Sequence, residues 1–207
     1  LEAGSYQEAA DLYQQKIDGG EGSEENYRRL GIAWMGLGDY NKAAAAFETA
    51  LSEAGIVPGD TEYDINYYLG SCYDKLGDYE AALKVYDAIV TLRPKDADAI
   101  ELRGAVKMQM GDTDGMQEDF SKSIALEPSN YDRLLSVYSA MSQNGYDTEG
   151  KVYLQNALDK YSDSMSSYDR GRIAYYVGDY ETARTNLEQM QSNTDEKVVL
   201  MLGRTYE

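Results

Sequence analysis

Few side chains in this sequence could do chemistry, and their spacing does not favour a reaction. Cys72 is the single cysteine and there is no histidine. With no imidazole to take its proton, Cys72 reads as a packed, inert thiol beside Tyr73 on a helix. The lack of histidine also removes His-based triads, His-assisted proton shuttles and His-containing zinc sites. Asp112-Thr113-Asp114-Gly115, with Glu118 and Asp119 after it, resembles a calcium loop only in part. It lacks the twelve-residue spacing and the terminal bidentate Glu, and it coincides with a helix corner, so capping is the expected role. There is no glycine-rich phosphate loop, no G-x-S-x-G elbow and no deaminase-type cysteine pair. The residues therefore predict no catalytic residue, no metal and no cofactor.

The balance of charges narrows the partners. Acidic residues outnumber basic ones 37 to 19 in 207 residues, a formal charge of −18. Nucleic-acid binding rests on phosphate neutralisation by Lys and Arg, so no nucleic-acid partner is expected. Apolar residues at 43% and charged residues at 27% are an ordinary globular balance. No run approaches the roughly eighteen apolar residues of a membrane helix, so no direct membrane insertion is expected of this stretch. Leu1-Glu2-Ala3-Gly4 carries neither a basic leader nor an apolar core of a signal peptide, and there is no initiator Met. The sequence thus reads as a processed or trimmed product.

The elements that must position these residues recur. Gly38-Asp39-Tyr40, Gly77-Asp78-Tyr79, Gly111-Asp112-Thr113 and Gly178-Asp179-Tyr180 mark corners, and Gly4-Ser5-Tyr6 opens the chain in the same style. Upstream stand Leu30-Gly31, Leu69-Gly70, Arg103-Gly104, Arg170-Gly171 and Leu202-Gly203. Downstream, a small residue precedes a large one by four positions: Ala9/Tyr13, Ala43/Phe47, Ala82/Tyr86 and Ala183/Leu187, with Met116/Phe120 in the same phase. Corner glycines suit left-handed helix ends, and the Asp or Ser that follows suits the next N-cap; Ser5-Tyr6-Gln7-Glu8 reads as a capping box and Thr61 recaps after a widened turn at 55–60. A hairpin of this size cannot bury its apolar stripe alone, so it must stack on neighbours.

This pattern resembles the tetratricopeptide repeat, a 34-residue helical hairpin with W-x2-L-G-x2-Y, A-x3-F and P marks. Tyr27 to Trp34 and Leu69-Gly70-Ser71-Cys72-Tyr73 fit its first part, and Pro94 and Pro128 close two units. The resemblance implies an all-α, right-handed α-α superhelix, a solenoid of stacked hairpins over 1–207. Full repeats are expected at 24–57, 63–96, 97–130, 131–163 and 164–195, with half-repeats at 1–18 (second helix) and 196–207 (first helix). The unit at 131–163 departs most, with Val137-Tyr138 for Leu-Gly and Gly150 at the small position. The tyrosine-rich, lysine-poor style is similar to bacterial members of the family, including exported lipoproteins.

In this family the first helix of each unit lines the concave surface. Carried over position by position, the resemblance implies a groove containing Glu25, Arg28, Arg29, Asp64, Tyr67, Tyr68, Asp98, Glu101, Asp132, Tyr168, Arg172, Tyr175 and Tyr176. Glu25, Asp64, Asp98 and Asp132 share one position and would draw a line of carboxylates, either complementing helix dipoles or recruiting cations. Tyr40, Tyr73, Tyr79 and Tyr180 fall at the family's aromatic core positions. The clamp that grips chaperone tails uses Lys and Asn where this sequence has Ile32, Tyr68 and Asp64, so that role is disfavoured. The expected function is a non-catalytic scaffold whose groove holds a protein or peptide segment with basic or apolar groups. The alternative is a docking arm of a larger enzyme, or of a peptide-sensing regulator, with its other domains outside this chain. The first helix lacks its partner and Val198-Val199-Leu200-Met201-Leu202 is apolar on every side. These open edges predict more chain in the parent protein or, failing that, end-to-end association.

Overall fold

The computed structural model describes residues 3–54, 59–189 and 196–206, so residues 55–58 of the expected widened turn lie outside the described residues. Among the described residues there are twelve α-helices, one short 3-10 turn and no strand. They group into two compact units, residues 1–126 and 127–207. The first unit holds α1 (Ala3–Asp18), α2 (Glu24–Gly36), α3 (Tyr40–Glu53), α4 (Asp60–Leu76), α5 (Tyr79–Leu92), α6 (Ala97–Gln109) and α7 (Thr113–Leu126). The second holds α8 (Tyr131–Gln143), α9 (Asp147–Tyr161), the 3-10 turn Ser162–Ser164, α10 (Ser167–Val177), α11 (Tyr180–Glu188) and α12 (Glu196–Thr205). Within each unit every helix packs against the next in sequence, as stacked hairpins must.

The corners form for the reasons their residues suggest. Gly38, Gly77, Gly111 and Gly178 have φ between 76° and 100°, where a side chain would be strained. The Asp after three of them accepts a hydrogen bond from the third residue on: Asp39 from Lys42, Asp78 from Ala81 and Asp179 from Thr182, each at 3.1 Å. Asp112 accepts from the Gly115 amide at 3.0 Å, so it serves as a cap. Two expected caps are corrected. Ser5 lies inside α1, which starts at Ala3, so it does not occupy the N-cap position. Thr61 also lies inside its helix: α4 begins at Asp60 with Gly59 as N-cap, and the Glu62 carboxylate accepts the Gly59 amide at 2.6 Å.

One contact recurs in both units. A Cβ added to Gly31 would stand 2.6 Å from the Phe47 ring, to Gly70 2.7 Å from Tyr86, to Gly104 2.9 Å from Phe120, and to Gly171 2.7 Å from Leu187. In each pair the large residue stands sixteen positions after the glycine, on the partner helix of its own hairpin. Phe47 then reaches onward, stacking on Tyr68 of α4 at 5.4 Å between ring centroids. The hairpin of α8 and α9 keeps a large buried residue, Leu154, at the same offset but changes the other two positions. Tyr138 takes the glycine's place, and Gly150 replaces the small alanine; a Cβ there would lie 3.0 Å from the Tyr138 ring. This exchange explains how the most divergent repeat still closes.

A charged cluster is buried between α6 and α7. Asp119 is fully buried, accepting from Arg103 Nε at 2.8 Å and Nη2 at 2.6 Å and from Lys107 Nζ at 2.8 Å. Arg103 also donates to Asp87 of α5 at 2.9 Å, tying three helices together. Burial by itself would raise the Asp119 pKa, but the hydrogen bonds and charges of Arg103 and Lys107 outweigh it and hold the carboxyl below its ordinary value. Cys72 is buried, and desolvation pushes its thiol up to about 11.

Two stability predictions follow from these contacts. Gly31→Ala and Gly70→Ala each destabilise by about 1–3 kcal/mol in urea unfolding, because overpacking against Phe47 or Tyr86 exceeds the roughly 1 kcal/mol that Ala gains as a helix former. Asp119→Ala costs about 3 kcal/mol by leaving Arg103 and Lys107 without their shared partner. Because the Asp119 pKa is depressed in the fold, its contribution is complete above the unfolded carboxylate value. It is lost as pH falls through the lower folded value, so the acid limb of a pH–stability curve should flatten in Asp119→Ala.

Candidate functional site

The expected groove residues lie in two places, one in each unit. In the first unit the acidic and cationic members are tied to one another. Arg28 of α2 pairs with Asp64 of α4, its Nε donating at 2.8 Å, and its guanidinium stands 5.9 Å from the Tyr68 ring centre. Arg29 donates to the Tyr13 hydroxyl at 2.9 Å and pairs with Glu25. Tyr67 donates to Asp96, the carboxylate that caps α6. Asp98 and Glu101 are likewise engaged within the chain. Tyr67 and Tyr68 are thus part of the joints between successive hairpins. A shallow cavity of about 280 Å³ remains between α1 and α2, lined by Tyr6, Tyr13, Glu25, Arg28 and Arg29 among others.

The second unit is built differently. First helices α8, α10 and α12 present Tyr138, Tyr168, Tyr175, Tyr176 and Met201 to a groove with two adjoining lobes of about 410 and 530 Å³. Both lobes are lined by Tyr138, Tyr176 and Met201. The Tyr176 ring tilts against Tyr138 at 5.5 Å and meets Tyr175 edge-on at 5.3 Å, and Tyr175 lies 5.9 Å from Tyr180. Offset and edge-to-face contacts of this kind are the favoured aromatic geometries. The smaller lobe adds Ser136, Ser139, Ser142 and Gln143 from one side of α8, and the larger adds Lys151 and Arg204.

Hydrogen bonds hold this wall in place. Tyr138 and Ser142 both donate to Asp147 Oδ1 at 2.9 Å, and Lys151 pairs with Asp147 Oδ2 at 2.9 Å. Lys151 first, then Ser142 and Tyr138, keep the Asp147 carboxyl below its ordinary pKa. Arg172 lies over the Tyr168 ring at 4.8 Å and bridges two helices. Its Nη1 donates to Asp132 of α8 at 2.6 Å, while Nε and Nη2 donate to Asp169 at 3.1 and 2.7 Å.

These positions correct two expectations. The carboxylates at the first-helix starts do not form a free acidic rim: Glu25, Asp64 and Asp132 each face an arginine, two of them on a neighbouring first helix. Tyr180 is not a core residue, being 52% exposed on the groove side of Tyr175. Sequence reasoning missed Tyr138 and Lys151 as groove residues. Tyr138 was visible as a departure from Leu-Gly, whereas Lys151 belongs to a second helix, which the positional rule ignores.

The fold and the groove can now be set beside known proteins. Residues 28–97 match the tetratricopeptide repeat family model. The chain is 22% identical over 143 residues to BBSome complex member BBS4 of Bos taurus, and 26% over 131 residues to that of Xenopus tropicalis. Those stretches are 69% and 63% of this chain but 26% and 24% of those proteins, so the chain spans about a quarter of the relatives it matches. Among solved structures, MamA 41-end from Desulfovibrio magneticus RS-1 superposes with a TM-score of 0.62 at 21% identity, covering 79% of this chain and 89% of that one. A tetratricopeptide repeat protein from Parabacteroides merdae also gives 0.62, at 18% identity, covering 99% of this chain and 79% of that one. At such identities the likeness is one of fold. By its matched residues 28–97 and by that fold, this chain is similar to tetratricopeptide-repeat proteins.

Proposed function

We propose that this chain is a non-catalytic scaffold that holds a segment of another protein in the groove of residues 127–207. The observation that carries the reading is the wall of Tyr138, Tyr175 and Tyr176, preassembled by ring contacts and facing lobes of about 410 and 530 Å³. Volumes of this size suit a few side chains of a bound segment. Tyrosines are strong anchors because they bring apolar area and a hydroxyl at small entropic cost. Tyr176 is 37% exposed and has surface left for a ligand to cover.

The chemistry on offer supports holding over transforming. The single thiol is buried with its pKa raised, so it makes a poor nucleophile. Around the groove, Asp132, Asp147 and Asp169 are engaged by Arg172 and Lys151, which leaves no carboxylate of that set poised as a general base.

The test is a screen of the full chain against arrayed 15-residue peptides, with hits measured by fluorescence anisotropy. Tyr176→Ala is expected to weaken a groove ligand by roughly thirty-fold, about 2 kcal/mol. Tyr63→Ala, in the other unit, should leave the affinity unchanged. Equal losses from both variants would place binding elsewhere.

A further inference from the structure

Building on the proposed binding role, we infer that the groove of residues 127–207 selects an acidic segment carrying an aromatic side chain, and rejects basic ones. In a chain with 37 acidic residues, neither lobe is lined by a single Asp or Glu among the described residues. Three cations line them instead: Arg172, Lys151 and Arg204.

The hydrogen-bonding inventory points the same way. Arg172 has five N–H donors and directs three of them at Asp132 and Asp169. Lys151 has three and directs one at Asp147. The hydroxyls of Tyr138 and Ser142 already point to Asp147 as donors, and Ser139 accepts from Gln143 at 2.8 Å. Arg172 and Lys151 thus keep N–H donors that a carboxylate or carbonyl of a ligand can engage. Asp132, Asp147 and Asp169 are each paired with one of these cations, so an incoming ammonium or guanidinium would have to compete with Arg172 or Lys151 for them. The formal charge of −18 does not reverse this. At about 0.15 M salt the Debye length is about 8 Å, so the side chains within reach of the ligand decide the sign.

The aromatic requirement comes from the hairpin of α8 and α9. Tyr138 stands where the other hairpins keep glycine, and its ring borders both lobes beside Tyr176. A planar side chain seated there gains ring contacts on two sides, which an aliphatic one does not.

Four fluorescently labelled 15-residue peptides test this on the full chain at 0.15 M salt: acidic with Trp and Phe, acidic without aromatics, neutral with Trp and Phe, and basic with Trp and Phe. The acidic aromatic peptide should bind at least about ten-fold more tightly than the other three. Arg204→Glu should weaken it by about ten-fold or more and narrow its lead over the basic peptide. Lys151→Gln, which removes charge without adding a like charge beside Asp147, should act in the same direction. Circular dichroism melts confirm that both variants keep the helical fold. Basic peptides that bind as tightly, with affinity lost in Tyr176→Ala, would overturn the charge selection and leave the groove itself standing. No binding by any of the four would overturn both readings.

Discussion

The contact between a first-helix glycine and the large residue sixteen positions later sets the distance at which each hairpin closes. Helices pack 8–10 Å apart according to the side chains at their crossing, so a ring laid directly on backbone brings the pair to the near end of that range. Gly31/Phe47, Gly70/Tyr86, Gly104/Phe120 and Gly171/Leu187 share this geometry. Because the large residue also reaches the next hairpin, as Phe47 does on Tyr68, one side chain fixes both the closure of a repeat and its stacking on the next. In the hairpin of α8 and α9 the large position is kept by buried Leu154, while Tyr138 adds a ring where the other hairpins have glycine, and Gly150 in place of alanine makes room for it. That added ring puts an aromatic on the groove side, so the least regular repeat is where the groove acquires its wall.

A second layer of constraint is electrostatic. Each first helix starts with an acid, which suits its dipole. The arginines convert those acids into ties between neighbouring hairpins: Arg28 to Asp64 in one unit and Arg172 to Asp132 in the other. Such pairs at part-exposed positions add little stability alone. Their larger effect is to fix the acids and the arginines in place, each tied to a neighbouring first helix.

Much of this was legible in the residues. Corner glycines followed by Asp set the helix ends, because the left-handed conformation and the cap hydrogen bond are local requirements that a few residues satisfy alone. The small and large positions were legible for the same reason, as they recur in phase. What escaped was set by pairing between helices. The acid of Asp119 is lost in a surface-like sequence, yet it is buried under Arg103 and Lys107, which lie sixteen and twelve residues away. The fate of Asp64 depended on Arg28 one repeat earlier, and that of Tyr67 on Asp96, the cap of α6 in the next repeat. A rule that assigns groove positions helix by helix cannot see a side chain consumed by its neighbour.

These ties bear on how well the groove can bind. A flexible side chain costs about 0.5–1.5 kcal/mol to immobilise on complex formation, and several such costs cancel much of a small interface. Here Tyr138 is held by Asp147, Tyr176 by the rings of Tyr138 and Tyr175, and Arg172 by two carboxylates on two helices. Their ordering is borne by the fold before any ligand arrives. The same hydrogen bonds that engage the acids beside the groove therefore also stiffen its lining. A groove whose acids were free would have to order its rings and arginines anew around each ligand.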